Sequence, residues 1–228
     1  MCIRDSIELG QKLGIDTPHT IELYDNSNIQ GAYAVAGMVV YKDGVPSKKD
    51  YRKYKIKTVE GPDDYASMKE VIYRRYYRLL MEQKEMADLI IVDGGLGQIK
   101  VAKEVINSLN LSVHICGLSK DDKHSTAMLL DENGNQVPID TKSPLFFLLT
   151  RMQDEVHRYA ISFHRQVRSK SLFSSILDEV EGIGEARKKK LLNHFKSVKK
   201  MKEASLEELE AVIPKNTAAK LYEVLHKE

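Results

Sequence analysis

The chain reads as an α/β protein, a mixed sheet in the order βββαβαβα followed by a small all-α domain. Three observations predict this. Short apolar runs alternate with longer stretches of helical periodicity as far as Ser169, two of those runs end in aspartate at a turn, and beyond Ser175 the chain changes to short helices rich in lysine and glutamate. At 228 residues there is room for one sizeable core and a second small one.

From the amino terminus, MCIRDS joins awkwardly to the residues after it, and Ile7 to Leu13 reads as the end of a helix capped by Gly14. Residues 1–19 are therefore expected to be the remnant of an upstream helix and linker of a larger protein. Thr20 to Tyr24 is a β-prone run ending at Asp25, and Asn26, Ser27, Asn28 and Gly31 mark a turn. A second strand runs from Tyr33 to Tyr41, and Asp43-Gly44 is a hairpin signal. Tyr51 to Ile56 alternates aromatic or apolar with basic residues, as a half-buried third strand does. Pro62 and Asp63 introduce a helix whose Tyr65, Met68, Ile72, Tyr76 and Leu79 recur at spacings of three and four.

Leu89 to Val92 is a continuous apolar run suited to a strand buried on both faces, with Asp93 at its carboxyl end. Gly94, Gly95 and Gly97 permit a sharp exit into a helix from about Gln98 to Leu109, and a fifth strand lies around Val113 to Leu118. Ala127 to Ile139, centred on Asn133-Gly134, looks like an inserted hairpin. Ser143-Pro144 starts a long final helix that continues to about Ser169. The expected division is an α/β domain over 20–170, a polar linker over 171–175 and a helical domain over 176–228.

Composition removes several classes. No apolar run approaches the roughly 18 residues needed to span a bilayer, and no signal peptide is visible, which makes the cytoplasm the expected location. Cys2 and Cys116 offer neither a disulfide framework nor zinc spacing, so any metal must rely on oxygen and imidazole ligands. The net charge of +2 conceals an uneven distribution. Gly184 to Lys202 holds eight Lys/Arg against Glu185 alone, and Lys48 to Lys57 holds six against Asp50, a pattern that fits either solvated faces or a polyanionic partner.

The candidate chemistry rests on the two strand-end aspartates. In open α/β sheets the carboxyl edge of the strands is the usual ligand crevice, although strand-Asp-Gly-Gly also serves as a plain turn. In a ribonuclease H-like arrangement the first and fourth strands are neighbours, which brings Asp25 and Asp93 together. Two carboxylates at that distance need a divalent ion to offset their repulsion, and the pair suits Mg²⁺ or Mn²⁺ activating water for attack on a phosphodiester. The final helix carries Asp154, Glu155 and His157 within one turn, and His164 lies two turns beyond His157 on roughly the same face. A lone helical histidine is more often a packed or surface residue than a catalyst.

The stretches YDNSNIQG, DYRKYKIKTVEGPDDYASM, RRYY, LIIVDGGLGQ and RMQDEVHRYAISFHR, in this order and spacing, resemble the carboxyl-terminal half of the UvrC subunit of the bacterial excinuclease. The resemblance covers nearly everything from Ile21 onward. It implies a ribonuclease H-like endonuclease domain followed by a tandem helix-hairpin-helix domain, acting in nucleotide-excision repair on the 5′ side of a DNA lesion. The implied catalytic set is two aspartates and a histidine, which fall on Asp25, Asp93 and His157, with a further functional aspartate on Asp64. Asp25 and Asp93 are then direct metal ligands. His157 is a ligand or proton-transfer group, or else a phosphate contact. Asp64 lies in the first turn of its helix, where a plain N-terminal role is also open to it. Implied partners are damaged double-stranded DNA, UvrB and, indirectly, UvrA. A rival reading is a non-catalytic, structure-specific DNA-binding module with the nuclease fold as scaffold.

In the tail, Val180-Glu181-Gly182-Ile183-Gly184 resembles a helix-hairpin-helix turn, whose glycines let backbone N–H groups approach a phosphate. Gly182, Ile183, Gly184, Arg187 and Lys188 are the DNA-contact candidates there. Glu207 to Leu225 reads as a second hairpin with Val212, Leu221 and Leu225 in its core, its turn being Ile213-Pro214-Lys215-Asn216. Lys215 is a further contact candidate, as is Asn216 in a left-handed conformation. Asn28 stands where the family pattern has histidine, and Leu96 where it has lysine. The GIY-YIG domain of the 3′ incision and the UvrB-binding segment are absent from this sequence, so dual incision is not expected of it alone.

Overall fold

The computed structural model describes residues 3–27, 34–59, 61–120 and 127–226. The chain divides into two compact units, Met1–His164 and Arg165–Glu228. In chain order the first unit contains α1 (Ile3–Leu13), β1 (Thr20–Ser27), β2 (Val35–Lys42), β3 (Val45–Pro46), β4 (Arg52–Lys55), α2 (Asp64–Met81), β5 (Leu89–Asp93), α3 (Leu96–Ser108), β6 (His114–Lys120), β7 (Ala127–Leu130) and β8 (Gln136–Val137). Helix α4 (Pro144–Asp178) begins in this unit, and the division falls within it.

The sheet runs β3-β2-β1-β5-β6-β7-β8, with β4 also on β2. Strands β1 and β2 are antiparallel, while β1, β5 and β6 run parallel. Because β1 covers one whole edge of β2, the other edge is shared: β3 takes Tyr41 and Lys42, and β4 takes Val35 to Met38. The Asp43-Gly44 signal is the β2–β3 turn, both residues having positive φ (50° and 76°).

Side-chain alternation divides the core. On β1, Ile21 and Leu23 face α1 and α4, and Tyr24 faces α2 and α3. On β5, Leu89 and Ile91 share the α4 face, whereas Ile90 and Val92 share the other. All four are fully buried, as a doubly covered central strand requires, and each such side chain contributes about 1.5–3 kcal/mol. Glu22, 1% exposed among these apolar groups, is offset by Arg75 at 2.6 Å and accepts hydrogen bonds from Tyr24 (2.5 Å) and Tyr76 (3.2 Å). The RRYY stretch thus pins α2 to β1.

Three sequence expectations change. Asn26 and Ser27 are not turn residues; β1 continues through them by pairing with Ala36 and Val35 of β2. The hairpin of 127–139 is no appended insertion: β7 pairs with β6 and extends the sheet, with Leu129 and Leu130 in the cores of opposite faces. Residues 171–175 are helical within α4, because no glycine or proline interrupts the sequence between Pro144 and Asp178 and serine alone does not end a helix. Asn28, Gly31 and Tyr33 lie outside the described residues.

The second unit packs α5 (Glu185–Phe195), α6 (Val198–Lys202), α7 (Leu206–Glu210) and α8 (Lys215–His226) around Leu177, Val180, Ile183, Leu191, Leu209 and Leu221. Ser197 and Ser205 cap α6 and α7, and Ser205 and Glu208 form a complete capping box.

Candidate metal centre

The parallel pairing of β1 with β5 ends at Tyr24 and Val92, so Asp25 and Asp93 are the next residues on adjacent strands. Both continue the alternation of Leu23 and Ile91, toward the face that α4 covers. On α4, Met152 and Val156 enter the core, and one position further along the helix Gln153 and His157 meet the two carboxylates. Gln153 Nε2 donates to Asp93 Oδ1 at 2.7 Å, and His157 Nδ1 lies 3.0 Å from Asp25 Oδ2. A single helix therefore grips both aspartates from residues four apart.

Gly37 allows this approach. It pairs with Asp25 on β2, and a Cβ placed on it would lie 3.0 Å from the Ala160 backbone nitrogen and 3.1 Å from the Ala160 Cα. Any side chain there would push α4 away from the strand end.

One ligand atom from each of Asp25, Asp93 and His157 lies within 4.8 Å of the others. Asp25 is 6% exposed, whereas 52% of the His157 side chain is open to solvent. Two hard carboxylate oxygens and one imidazole nitrogen make a donor set that fits Mg²⁺ or Mn²⁺ and lacks the thiolates a softer ion prefers. Nearby on α4, Glu155 is held below the usual carboxylate range, chiefly by hydrogen bonds from Arg158 at 2.8 and 2.9 Å, and so stays ionised at neutral pH. Burial pushes the Tyr41 hydroxyl up to about 12, so it is neutral there.

Residues 10–161, more than half of the chain, match the family described as the UvrC RNAse H endonuclease domain. The chain belongs to that family. Residues 174–227 match the SAM-like helix-hairpin-helix tandem, so the two matches together correspond to the carboxyl-terminal half of UvrC. Among solved structures, a Ciona intestinalis endonuclease V bound to a 23mer DNA is 17% identical over 52% of this chain and 55% of its own, with a TM-score of 0.34. Human ENDOV is 15% identical over 52% and 61%, with a TM-score of 0.33. A Kluyveromyces polysporus Argonaute with a guide RNA is 14% identical over 59% and 19%, with a TM-score of 0.32. The chain spans little more than half the length of the endonuclease V chains it matches.

In this UvrC-type chain Asp64 is the exposed first residue of α2 and lies outside the three-residue ligand group; the N-cap is Asp63, which accepts from Ala66 at 2.9 Å. The Asp64 main-chain oxygen accepts from Asn26 Nδ2 at 2.8 Å, which ties the start of α2 to the residue beside Asp25. Asn26 Oδ1 is itself buried without a partner among the described residues. Leu96, at the position of the family lysine, packs beneath the β7–β8 turn: a Cβ on Gly134 would lie 2.7 Å from its Cδ1. His164 is 2% exposed, with a buried Nε2 that has no partner among the described residues, and is not part of the ligand group.

In the helical unit, Gly182 has φ +93° and its oxygen accepts from Arg187, while Gly184 is the N-cap of α5. Ile183 is 7% exposed in the core, with its N–H donated to Val180. Lys188 is paired with Asp178 and with Glu185 at 2.9 Å. Lys215 is exposed, 3.7 Å from Glu210. Asn216 is not left-handed; it lies in the first turn of α8, just after Pro214, whose oxygen accepts from Ala218 at 2.9 Å, and the Asn216 side chain accepts from Thr217 at 2.9 Å.

Two residues of the site are missed by sequence reasoning. Gln153 is 4% exposed and holds Asp93; its spacing of four before His157 is the signal that could find it. Asn26 looks like a turn former by residue type, and its position next to Asp25 is the corresponding signal.

Proposed function

We propose that this chain is a divalent-metal-dependent DNA endonuclease, the 5′-incising half of a UvrC-like nucleotide-excision repair subunit that works with UvrB and, through it, UvrA. The observation that carries the reading is the convergence of Asp25, Asp93 and His157 within 4.8 Å, inside the region that matches the endonuclease family. Asp25 and Asp93 hold the ion, and Gln153 fixes the orientation of Asp93. A bound Mg²⁺ or Mn²⁺ supplies a water of lowered pKa and stabilises charge developing on the phosphodiester. His157, exposed on the solvent side of Asp25, completes the ligand set or moves a proton at Nε2 while Asp25 holds Nδ1. The helix-hairpin-helix turns grip the backbone of damaged duplex without reading bases, through exposed charges such as Lys215 and through the amides around Gly182 and Gly184.

The test is nicking of lesion-containing duplex in Mg²⁺ or Mn²⁺, with UvrB supplied, by the unmodified chain and by Asp93→Asn. The wild type nicks 5′ of the lesion and the variant does not. Equal nicking by both would remove Asp93 from the reaction. Duplex binding by the wild type without nicking would favour the non-catalytic reading.

A further inference from the structure

The first unit carries a second concentration of charge, away from the metal centre. A cleft of about 310 Å³ lies between the edge strand β4 and helix α2, lined by Arg52, Lys53, Arg74, Arg75, Arg78 and Lys84 with Glu82 as the carboxylate among them. Among the described residues, the carboxylates bridged to these groups are Glu22 to Arg75, Glu70 to Arg74, and Glu82 to both Arg78 and Lys84. With the Lys53 ammonium on the other face of the strand, five cations thus meet three carboxylates among the described residues. Arg52 donates instead to the main-chain oxygens of Lys49 (2.9 Å) and Tyr51 (2.8 Å), contacts that do not neutralise it.

The sheet register links this cleft to the metal centre. Gly37 pairs with Asp25 on one side and with Lys53 on the other, so Asp25, Gly37 and Lys53 share one rung. At the usual strand spacing Lys53 sits about 10 Å across the sheet from Asp25. Residues opposed in antiparallel pairs share a face, and the Lys53 ammonium accordingly lies 5.0 Å from the Tyr159 ring and 5.4 Å from the Phe163 ring of α4, the helix that bears His157. Its neighbour Arg52 projects to the opposite face, into the cleft. Positive charge therefore continues from the face of the metal centre, over the β4 edge, into the cleft. Protection of an open edge against strand addition would account for Lys53 and Lys55. It does not account for Arg74, Arg78 and Lys84 converging there from α2 and the segment after it.

We propose that the cleft between β4 and α2 is a second docking channel for the phosphodiester backbone of the substrate strand. This rests on the DNA-endonuclease reading. A duplex lying with its axis across the sheet, at a rise of about 3.4 Å per nucleotide in one strand, meets the β4 edge about three base pairs from the scissile bond. Closely spaced guanidinium groups suit the oxygens of successive phosphates and carry no base preference.

The test uses the full chain with a fluorescent 30-base-pair duplex in EDTA, so that binding does not depend on the metal centre. Salt dependence is compared among the wild type, Arg52→Gln/Arg78→Gln/Lys84→Gln, and a charge-matched control, Arg4→Gln/Lys12→Gln/Lys142→Gln. Each lost phosphate contact flattens the slope of log K against log salt by about 0.9, so the cleft variant loses about 2 to 3 and the control less than about 1. Arg52→Lys/Arg78→Lys, which keeps the charge, retains the wild-type slope and guards against misfolding as the cause. Equal slopes for cleft variant and control overturn the channel, as does a cleft variant that loses affinity for poly-L-glutamate but not for the duplex. A wild type that fails to bind the duplex overturns the DNA-endonuclease reading itself.

Discussion

Asp93 leaves β5 between a strand and a helix, and Gln153 ties its Oδ1 to α4 at 2.7 Å. Gln153→Leu keeps the bulk of this buried side chain and removes its donor. Loss of an outer partner of a metal-binding carboxylate costs about 10–100-fold in metal affinity or activity. The variant is therefore expected to need about that much more Mn²⁺ for half-maximal nicking while its melting temperature changes little; an unchanged Mn²⁺ requirement would reduce Gln153 to packing. This residue also marks the limit of the sequence. Asp25 and Asp93 are legible as aspartates at strand ends, whereas His157 is singled out by the resemblance to the UvrC family and not by its place on a long helix. A glutamine four residues before a histidine looks like any polar helix position until folding brings it against a residue 60 positions earlier. Asn216 misleads for a related reason: its tolerance of left-handed backbone is intrinsic, but Pro214 has already committed the chain to a helix start.

At the scale of elements, periodicity suffices wherever one face is buried and fails at edges. Helix α2 and strand β5 are readable because Met68, Ile72, Tyr76 and Leu79 repeat at helical spacing and Leu89 to Val92 form an unbroken apolar run. The β7–β8 hairpin is visible from Asn133-Gly134, but its pairing with β6 depends on a partner that local sequence does not name. The close approach of α4 to β2 is equally hidden, since a single glycine inside a strand predicts nothing about what lies over it. Gly37→Ala puts a methyl group 3.0–3.1 Å from Ala160, where a packed helix cannot yield as a flexible side chain would. We expect a loss of about 1–3 kcal/mol in urea unfolding, with a fall in nicking as His157 retreats from Asp25. Ala160→Gly in the same chain removes the Ala160 Cβ contact at 3.1 Å and leaves those to its nitrogen and Cα, so recovery is partial. Full recovery would place the conflict in the side chain alone, and no loss in the single variant would mean that α4 slides freely.

Across the whole molecule, the candidate metal-ligand cluster belongs to the first unit and the helix-hairpin-helix turns to the second, each unit with its own apolar core. Net charge expresses nothing of this, because +2 is the remainder of two basic concentrations and the acidic residues around them. On the proposed function, chemistry and grip are separable properties, and a substitution confined to the second core separates them. Leu221 is fully buried among Leu191, Leu209 and Leu225, so Leu221→Ala opens a cavity costing about 2–5 kcal/mol in that unit. The expected result is weaker duplex binding with a shallower salt dependence, while Mn²⁺ titrated calorimetrically into the DNA-free protein binds with its wild-type affinity. The DNA loss follows because the turns at Gly182 and Pro214 are held by the core residues Ile183 and Ile213 that flank them. The Mn²⁺ affinity is preserved because none of the three proposed ligands packs against Leu221's cluster. A parallel fall in Mn²⁺ affinity would show that the helical core also sets the geometry of the metal centre, and the division of labour would have to be abandoned.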